Sequence, residues 1–225
     1  VIALVYYAIN GDVIDSKHCD TLSIFQKMSG VLDEINTKYK KDVAKPFEIT
    51  LGDEFQGLLK NPDHIFEIIE HFRFAFENIK LRYGVGVGEI PTGLGDTRTT
   101  LGTNGDAWWL ARQATSLVKA NHEKGISGRT DLLVLGIEDP TVQTIINQMI
   151  VLLHIIRDRW TKHQTSILRK LMNDQGYDDQ FIQEKIAKKL GQEPKNFNKL
   201  LRASQYYDYL QGYKQITTFL KGVNS

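Results

Sequence analysis

Up to Leu135 the apolar residues switch repeatedly between strand-like and helix-like spacing, and the order of those switches leaves few folds open. Val1-Ile2-Ala3-Leu4-Val5-Tyr6-Tyr7-Ala8 is a nearly uninterrupted β-rich run, as expected of a strand buried on both faces. Asn10-Gly11-Asp12 is expected to end it. From Leu22 to Tyr39 the apolar residues Leu22, Phe25, Met28, Val31, Leu32, Ile35 and Tyr39 recur at gaps of three and four, which predicts an amphipathic helix. Two short apolar runs, Phe47–Leu51 and Phe55–Leu59, flank Gly52-Asp53-Glu54 and predict a tight hairpin. A second helix is expected from Pro62-Asp63, with Ile65, Phe66, Ile69, Phe72 and Phe76 on one face. A Gly-rich strand follows from Leu81 to Val87, then a helix over about 106–120 and a last strand, Leu132–Leu135. The order β-α-β-β-α-β, then α-β, predicts an α+β domain of ferredoxin-like, split βαβ arrangement with additions.

Gly136-Ile137-Glu138-Asp139-Pro140 marks the expected boundary, and from there the period is helical to the end. The expected division is 1–138 for the front domain, 139–160 for a connecting helix and 161–225 for an all-α tail. The segment Thr141–Trp160 is apolar on more than one face, so it should be covered by both domains or by a second subunit; a homodimer is the expectation. In the tail, helices are expected over about 165–174, 179–190, 194–206 and 207–220, with Gly176 and Gly191 as stops and Pro194 in a first turn. Two short helices joined by a tight Gly-containing turn form the helix-turn-helix pattern.

Charge divides the chain in the same place. Residues 1–150 carry 15 Lys+Arg against 20 Asp+Glu, a balance of −5, whereas residues 151–225 carry 13 against 7, a balance of +6. An acidic front and a basic tail suggest two modules with different partners. A 41% hydrophobic and 24% charged composition excludes a disordered or fibrous chain. One cysteine, Cys19, excludes an internal disulfide framework and suits a reducing compartment; Cys19 itself reads as incidental. Val1 to Ala8 lacks the flanks of a signal peptide, and the uncharged stretch Pro140–Ile156 is too short and too polar to span a membrane. The expectation is a soluble, cytoplasmic protein without membrane partners.

Two Gly-Asp pairs carry the front domain's chemistry. If the first strand and the hairpin are neighbours, Asp12 and Asp53 converge at one sheet end, with no evident basic neighbour in sequence. A divalent cation would relieve their repulsion, and Mg²⁺ takes one or two carboxylates plus substrate phosphates. Asp15 and Glu54 add oxygen nearby. Each pair taken alone is also ordinary turn chemistry. The glycines at 84, 86 and 88 lie inside a strand rather than between strand and helix, so they are not a dinucleotide fingerprint. They allow close approach of another backbone or of a ligand. The six histidines and one cysteine show no zinc-ligand spacing.

The run Ile49-Thr50-Leu51-Gly52-Asp53-Glu54-Phe55 resembles the hairpin of class III nucleotide cyclases, and its Gly-Asp-Glu-Phe the signature of diguanylate cyclases. Ala8 to Ser16 is similar to the metal-binding first strand of that superfamily. Arg82-Tyr83-Gly84-Val85-Gly86-Val87-Gly88 is similar to its Gly-containing strand, and Gly102 to Arg112 to its later helix with a transition-state arginine. With Gly105-Asp106-Ala107, nearly the whole chain resembles the SatD family; the cyclase resemblance covers about residues 1–135. The resemblance implies Asp12, the Val13 carbonyl and Asp53 as ligands of Mg²⁺ or Mn²⁺. It further implies Gly52, Glu54, Gly86 and Gly88 around a bound nucleotide, and Arg112 as the catalytic residue facing its phosphates. Read without the resemblance, Arg112 is an exposed helix arginine. The position of the cyclase base-reading lysine holds Ile49, and that of the transition-state asparagine holds Trp108. Loss of one group that stabilises developing charge costs about 10²–10³ in rate, so a conventional purine cyclase is not expected.

In the tail, Ile186–Gly191 followed by Pro194–Arg202 resembles bacterial helix-turn-helix sequences. Leu190, Phe197 and Leu201 are expected in its core. Lys195, Asn196, Asn198, Lys199 and Arg202 are expected outward, to meet duplex DNA; a protein-interaction bundle is the alternative. The combined expectation is a regulator whose front domain binds a metal–nucleotide and whose tail binds DNA. The rival is an enzyme acting on a nucleotide or phosphate ester, with the tail used for assembly.

Overall fold

A computed structural model describes residues 4–15, 20–91, 94–95, 99–100, 103–123 and 130–223. Cys19, and the first three residues of the expected opening strand, lie outside the described residues. The front of the chain runs β1 (Val5–Val13), α1 (Thr21–Lys38), β2 (Val43–Leu51), β3 (Glu54–Leu59), α2 (Ile65–Ala75), β4 (Leu81–Glu89), α3 (Asp106–Glu123) and β5 (Leu132–Leu135). These strands form one sheet in the order β2-β3-β1-β4-β5. β1 pairs antiparallel with both β3 and β4, β2 pairs antiparallel with β3, and β5 adds to β4 in parallel. The first four strands thus have the split βαβ arrangement, with α3 and β5 as the addition.

The centre of the sheet is apolar because β1 is its middle strand: Tyr7, Ala8 and Ile9 are fully buried. One departure from the sequence reading matters for the site. Gly11-Asp12 does not end the strand; β1 continues through it, and Gly11 pairs with Phe55 and Tyr83, Asp12 with Glu54 and Arg82. A Cβ on Gly11 would fall 2.4 Å from the Phe55 ring, so the glycine makes room for an aromatic rather than a turn. Gly52, at φ +57°, does form the β2–β3 tip.

α3 lies directly on β4, and the alternate glycines explain how. A Cβ on Gly84 would meet the Ala111 carbonyl oxygen at 2.1 Å, and one on Gly86 the Ala107 oxygen at 2.0 Å. Small residues on the helix, Ala107, Ala111 and Ala114, complete the close contact and are fully buried. At the edge of the sheet, the Asn147 side chain accepts from the Val134 N–H at 2.8 Å and donates to its carbonyl at 2.9 Å. That side chain occupies the pairing groups a further strand would use, which blunts β5.

The chain continues through α4 (Pro140–Asp158), α5 (Lys162–Gln175), α6 (Gln183–Lys189), α7 (Pro194–Ala203) and α8 (Tyr206–Gly222). Two compact units result: residues 1–147 with 220–225, and residues 148–219. Within the second unit, Trp160 donates its indole N–H to the Ser204 carbonyl at 2.8 Å and packs edge-on against Tyr209. Thr161 and Gln164 form a reciprocal capping box at the start of α5. α6 is shorter than its periodicity suggests. Asp178 accepts from the Gln180 N–H, and Asp179 is tied to Lys214, so neither opens the helix. No described helix is long and apolar enough to cross a membrane.

Candidate functional site

The antiparallel pairing of β1 with β3 carries the end of one strand past the start of the other. Asp12 faces Glu54 in register, and the Asp53 carbonyl accepts from the Val13 N–H at 3.2 Å. Asp12, Asp53 and Glu54 therefore share one end of the sheet. Burial pushes the Asp12 carboxyl up from its usual 3.8 to about 6. Arg82 pulls it down, and the charges of Glu54 and Asp53 push it further up. Glu54 is raised in the same way, by burial first and then by Asp53, against the pull of Arg112 and Lys119.

Strand alternation decides which face this site uses. Asn10 and Asp12 share a face of β1, and Asn10 accepts a hydrogen bond from Thr115 of α3 at 2.8 Å. Thr115 is one turn beyond Arg112 and one before Lys119, and those two cations are exposed on the helix. The helix that lies on β4 thus brings two positive side chains to bear on the carboxylates. Arg82, on β4, is a third. Its Nε lies 3.3 Å from Asp12 Oδ1, and its side chain is 9% exposed. The sequence reading found no basic neighbour for Asp12; the β1–β4 register supplies Arg82. It also left out Lys119. An alternation was there to be read: Arg82 is the polar member of the row 82, 84, 86, 88 whose other members are glycines.

The remaining candidates fall as follows. Gly52 is exposed at the hairpin tip. The positions a side chain would take at Gly86 and Gly88 are filled by the Ala107 and Asp106 region of α3, so helix backbone covers them rather than open space. Trp108 is 2% exposed, packed with Ala8, Ala44 and Leu58, and its indole N–H makes no hydrogen bond. Among the described residues no group of three or more His, Cys, Asp or Glu side chains could hold a metal ion unaided.

In the tail, α6 ends in a Schellman turn. Gly191, at φ +66°, donates to the Lys188 carbonyl, and Gln192 to the Ala187 carbonyl at 2.8 Å. Glu193 caps α7 by accepting from the Asn196 N–H at 2.9 Å, and Pro194 follows. Phe197, Leu200 and Leu201 are buried; Leu190, expected with them, is only half-buried. Lys195, Asn196, Lys199 and Arg202 are exposed. Asn198 is not: it donates to Gln183 at 2.6 Å, and Gln183 in turn donates to the Tyr207 hydroxyl.

The SatD family matches over residues 6–220. The chain belongs to the SatD family. Among solved structures, this SatD chain is similar to the catalytic core of a rhodopsin-guanylyl cyclase with converted specificity in complex with ATPalphaS. The two are 17% identical over 51% of this chain and 72% of that one, at a TM-score of 0.35. It is also similar to the monomeric guanylyl cyclase domain of the RhoGC fusion protein from the aquatic fungus Blastocladiella emersonii. There the identity is 16%, over 50% and 88% of the two chains, at a TM-score of 0.29. A search of curated proteins gives no significant match.

Proposed function

We propose that the first unit of this SatD protein binds a nucleotide together with Mg²⁺ or Mn²⁺ at the Asp12–Asp53–Glu54 end of its sheet. The observation that carries this reading is the Asp12 carboxyl, raised to about 6 by burial while Asp53 and Glu54 stand beside it. A cluster whose own carboxylates repel one another gains most from a cation. A hard cation held by one or two carboxylates completes its shell with phosphate oxygens. Asp12 and Asp53 would hold the ion, with the Val13 carbonyl beside them; when bound, it would neutralise phosphate charge. Arg112 and Lys119, on the exposed face of α3, would meet the outer phosphates. Gly52 and Glu54 would border the ligand. Trp108 faces the core and Ile49 offers no polar atom, so binding is favoured over purine cyclisation. A thermal-shift panel of nucleotides with and without Mg²⁺ tests the reading. A ligand at about 100 times its Kd adds roughly 2.7 kcal/mol, and that gain should require the metal. Turnover of the bound nucleotide would convert the reading to the enzyme alternative.

The second unit is proposed to bind duplex DNA, making the protein a cytoplasmic regulator. The supporting observation is the α6–turn–α7 geometry, with apolar residues inward and Lys195, Asn196, Lys199 and Arg202 exposed. Filter binding on duplex DNA, repeated across salt, tests it; no salt-dependent retention returns the tail to the assembly role. A homodimer is proposed on the exposure of Ile145 and Leu152, at 54% and 61%, on α4. A monomer by light scattering at micromolar concentration would refute it.

A further inference from the structure

On the face of the sheet that carries α3, the row beside the carboxylates is polar. Glu48 of β2 pairs with Gln56 of β3, and Gln56 with Asn10 of β1, one row in from Glu54 and Asp12. This row grips two residues of the connection between β4 and α3. The Glu48 carboxylate accepts from the Thr100 N–H at 2.8 Å, from the Thr100 hydroxyl, and from the Thr99 hydroxyl at 3.2 Å. Gln56 donates its amide to the Thr100 hydroxyl at 2.7 Å, and Lys45, fully buried on β2, donates to the Thr99 carbonyl at 2.7 Å. Thr100 is buried, and its carbonyl accepts from the Thr103 hydroxyl at 2.6 Å, three residues before α3 begins. Connections usually run loosely over a surface; this one is clasped by three side chains from two strands.

The clasp lies at the head of one stripe of α3. Trp108, Arg112, Thr115 and Lys119 follow at gaps of four, three and four, so they share one side of the helix. Trp108 packs with Ala8, Ala44 and Leu58 of the sheet, and Thr115 donates to Asn10 at 2.8 Å. Arg112 stands between these two anchors, and its charge acts on Glu54. The contact of Gly84 and Gly86 with the α3 backbone sets how close the helix lies to β4. Small side chains do not interlock as ridges and grooves do, so the turn of α3 about its own axis is set on this stripe. We infer that Glu48 is a positioning residue: through Thr100 it anchors the start of α3 and so fixes the angle at which Arg112 faces the carboxylate end of the sheet. It rests on the nucleotide reading of that end, where Arg112 meets phosphate, and it gives Glu48 no contact with the ligand. A guanidinium binds phosphate oxygens directionally, so a small turn of α3 lowers affinity.

Two variants open the clasp in different ways. Thr100→Val removes the hydroxyl that links Glu48 to Gln56 and leaves the charge unchanged. Glu48→Gln keeps an acceptor for the Thr100 N–H and removes the carboxylate. Calorimetric titration of Mg²⁺·ATP into the full chain compares them with wild type, with Arg112→Ala, and with the double variant of Thr100→Val and Arg112→Ala. Each protein is measured well below its own denaturation midpoint. Both clasp variants should bind about tenfold more weakly, the scale of one hydrogen bond to a charged group. The double variant should bind no more weakly than Arg112→Ala, because the clasp acts through that side chain; a general loss of structure would add to the loss at Arg112 instead. Wild-type affinity in either clasp variant, or additive losses in the double variant, overturns the inference and leaves the nucleotide reading standing. Failure of wild type to bind Mg²⁺·ATP overturns the nucleotide reading and the inference with it.

Discussion

Arg82 and Asp12 stand directly opposite one another on β4 and β1, with Nε 3.3 Å from Oδ1, yet neither of those atoms makes a hydrogen bond. They are close enough to attract and not aligned enough to satisfy each other. The Asp12 carboxyl consequently stays high despite its arginine, because burial outweighs the pair. A half-buried acid held in this state costs the fold stability once it ionises.

Asp12→Asn should therefore stabilise the metal-free protein near neutral pH. Below 3.8 the carboxyl is protonated whether folded or unfolded and has no effect. As pH rises towards about 6 the unfolded chain releases its proton first, so the charged group increasingly destabilises the fold. At about 1.4 kcal/mol per pH unit, the gain from the substitution reaches at most about 3 kcal/mol above that window. Urea denaturation across pH would show wild type and variant converging in acid. A variant less stable than wild type at neutral pH would contradict this.

Gly86→Ala should be strongly destabilising, because the new Cβ would fall 2.0 Å from the Ala107 oxygen and 2.4 Å from the Ala111 nitrogen. Both are helix backbone, so α3 must lift from β4, at a cost of about 1–3 kcal/mol or more. Gly30→Ala, on α1 with nothing near its Cβ position, should instead stabilise by about 1 kcal/mol. Denaturation midpoints of the two variants should move in opposite directions.

The glycines also show where sequence reading stopped. The strand and helix order survived because it rests on spacing: α1, α3, β5 and the hairpin fall close to the expected ranges. Gly11-Asp12 read as a turn because glycine has no side chain to declare its neighbour; the neighbour is Phe55, its cross-strand partner on β3 and far from it in sequence. The Arg82–Asp12 pair depends on register between strands about seventy residues apart, which no local pattern encodes. Asn198 looked outward by periodicity, but Gln183 captures its amide, a polar contact that hydrophobic spacing cannot show.

His64 should make stability fall as pH rises above 6.5. Its close contact with Glu67, Nδ1 to Oε2 at 3.5 Å, and the nearby charges of Asp42 and Asp63 raise its pKa above 6.5, against the effect of burial. The protonated ring contributes fully below 6.5, and that contribution is lost as pH rises through the raised value. His64→Gln should destabilise in mild acid and approach neutrality in base. A pH-independent difference would contradict it.

Asn198→Ala should lower stability, by about 0.5–1.5 kcal/mol for the lost hydrogen bond to Gln183, without changing preference at any base pair. Arg202→Ala, on the exposed side of α7, should weaken duplex binding and lower the salt slope by about one. Fluorescence anisotropy across salt and operator variants separates the two effects.

The most direct test of the carboxylate site is calorimetric titration of ATP into the full chain, with Mg²⁺ and with EDTA, for wild type, Asp12→Asn and Asp53→Asn. Binding in Mg²⁺ that vanishes in EDTA and in both variants, while all three proteins stay folded, is the predicted result. Nucleotide binding of equal strength in EDTA, or unchanged in either variant, would contradict it.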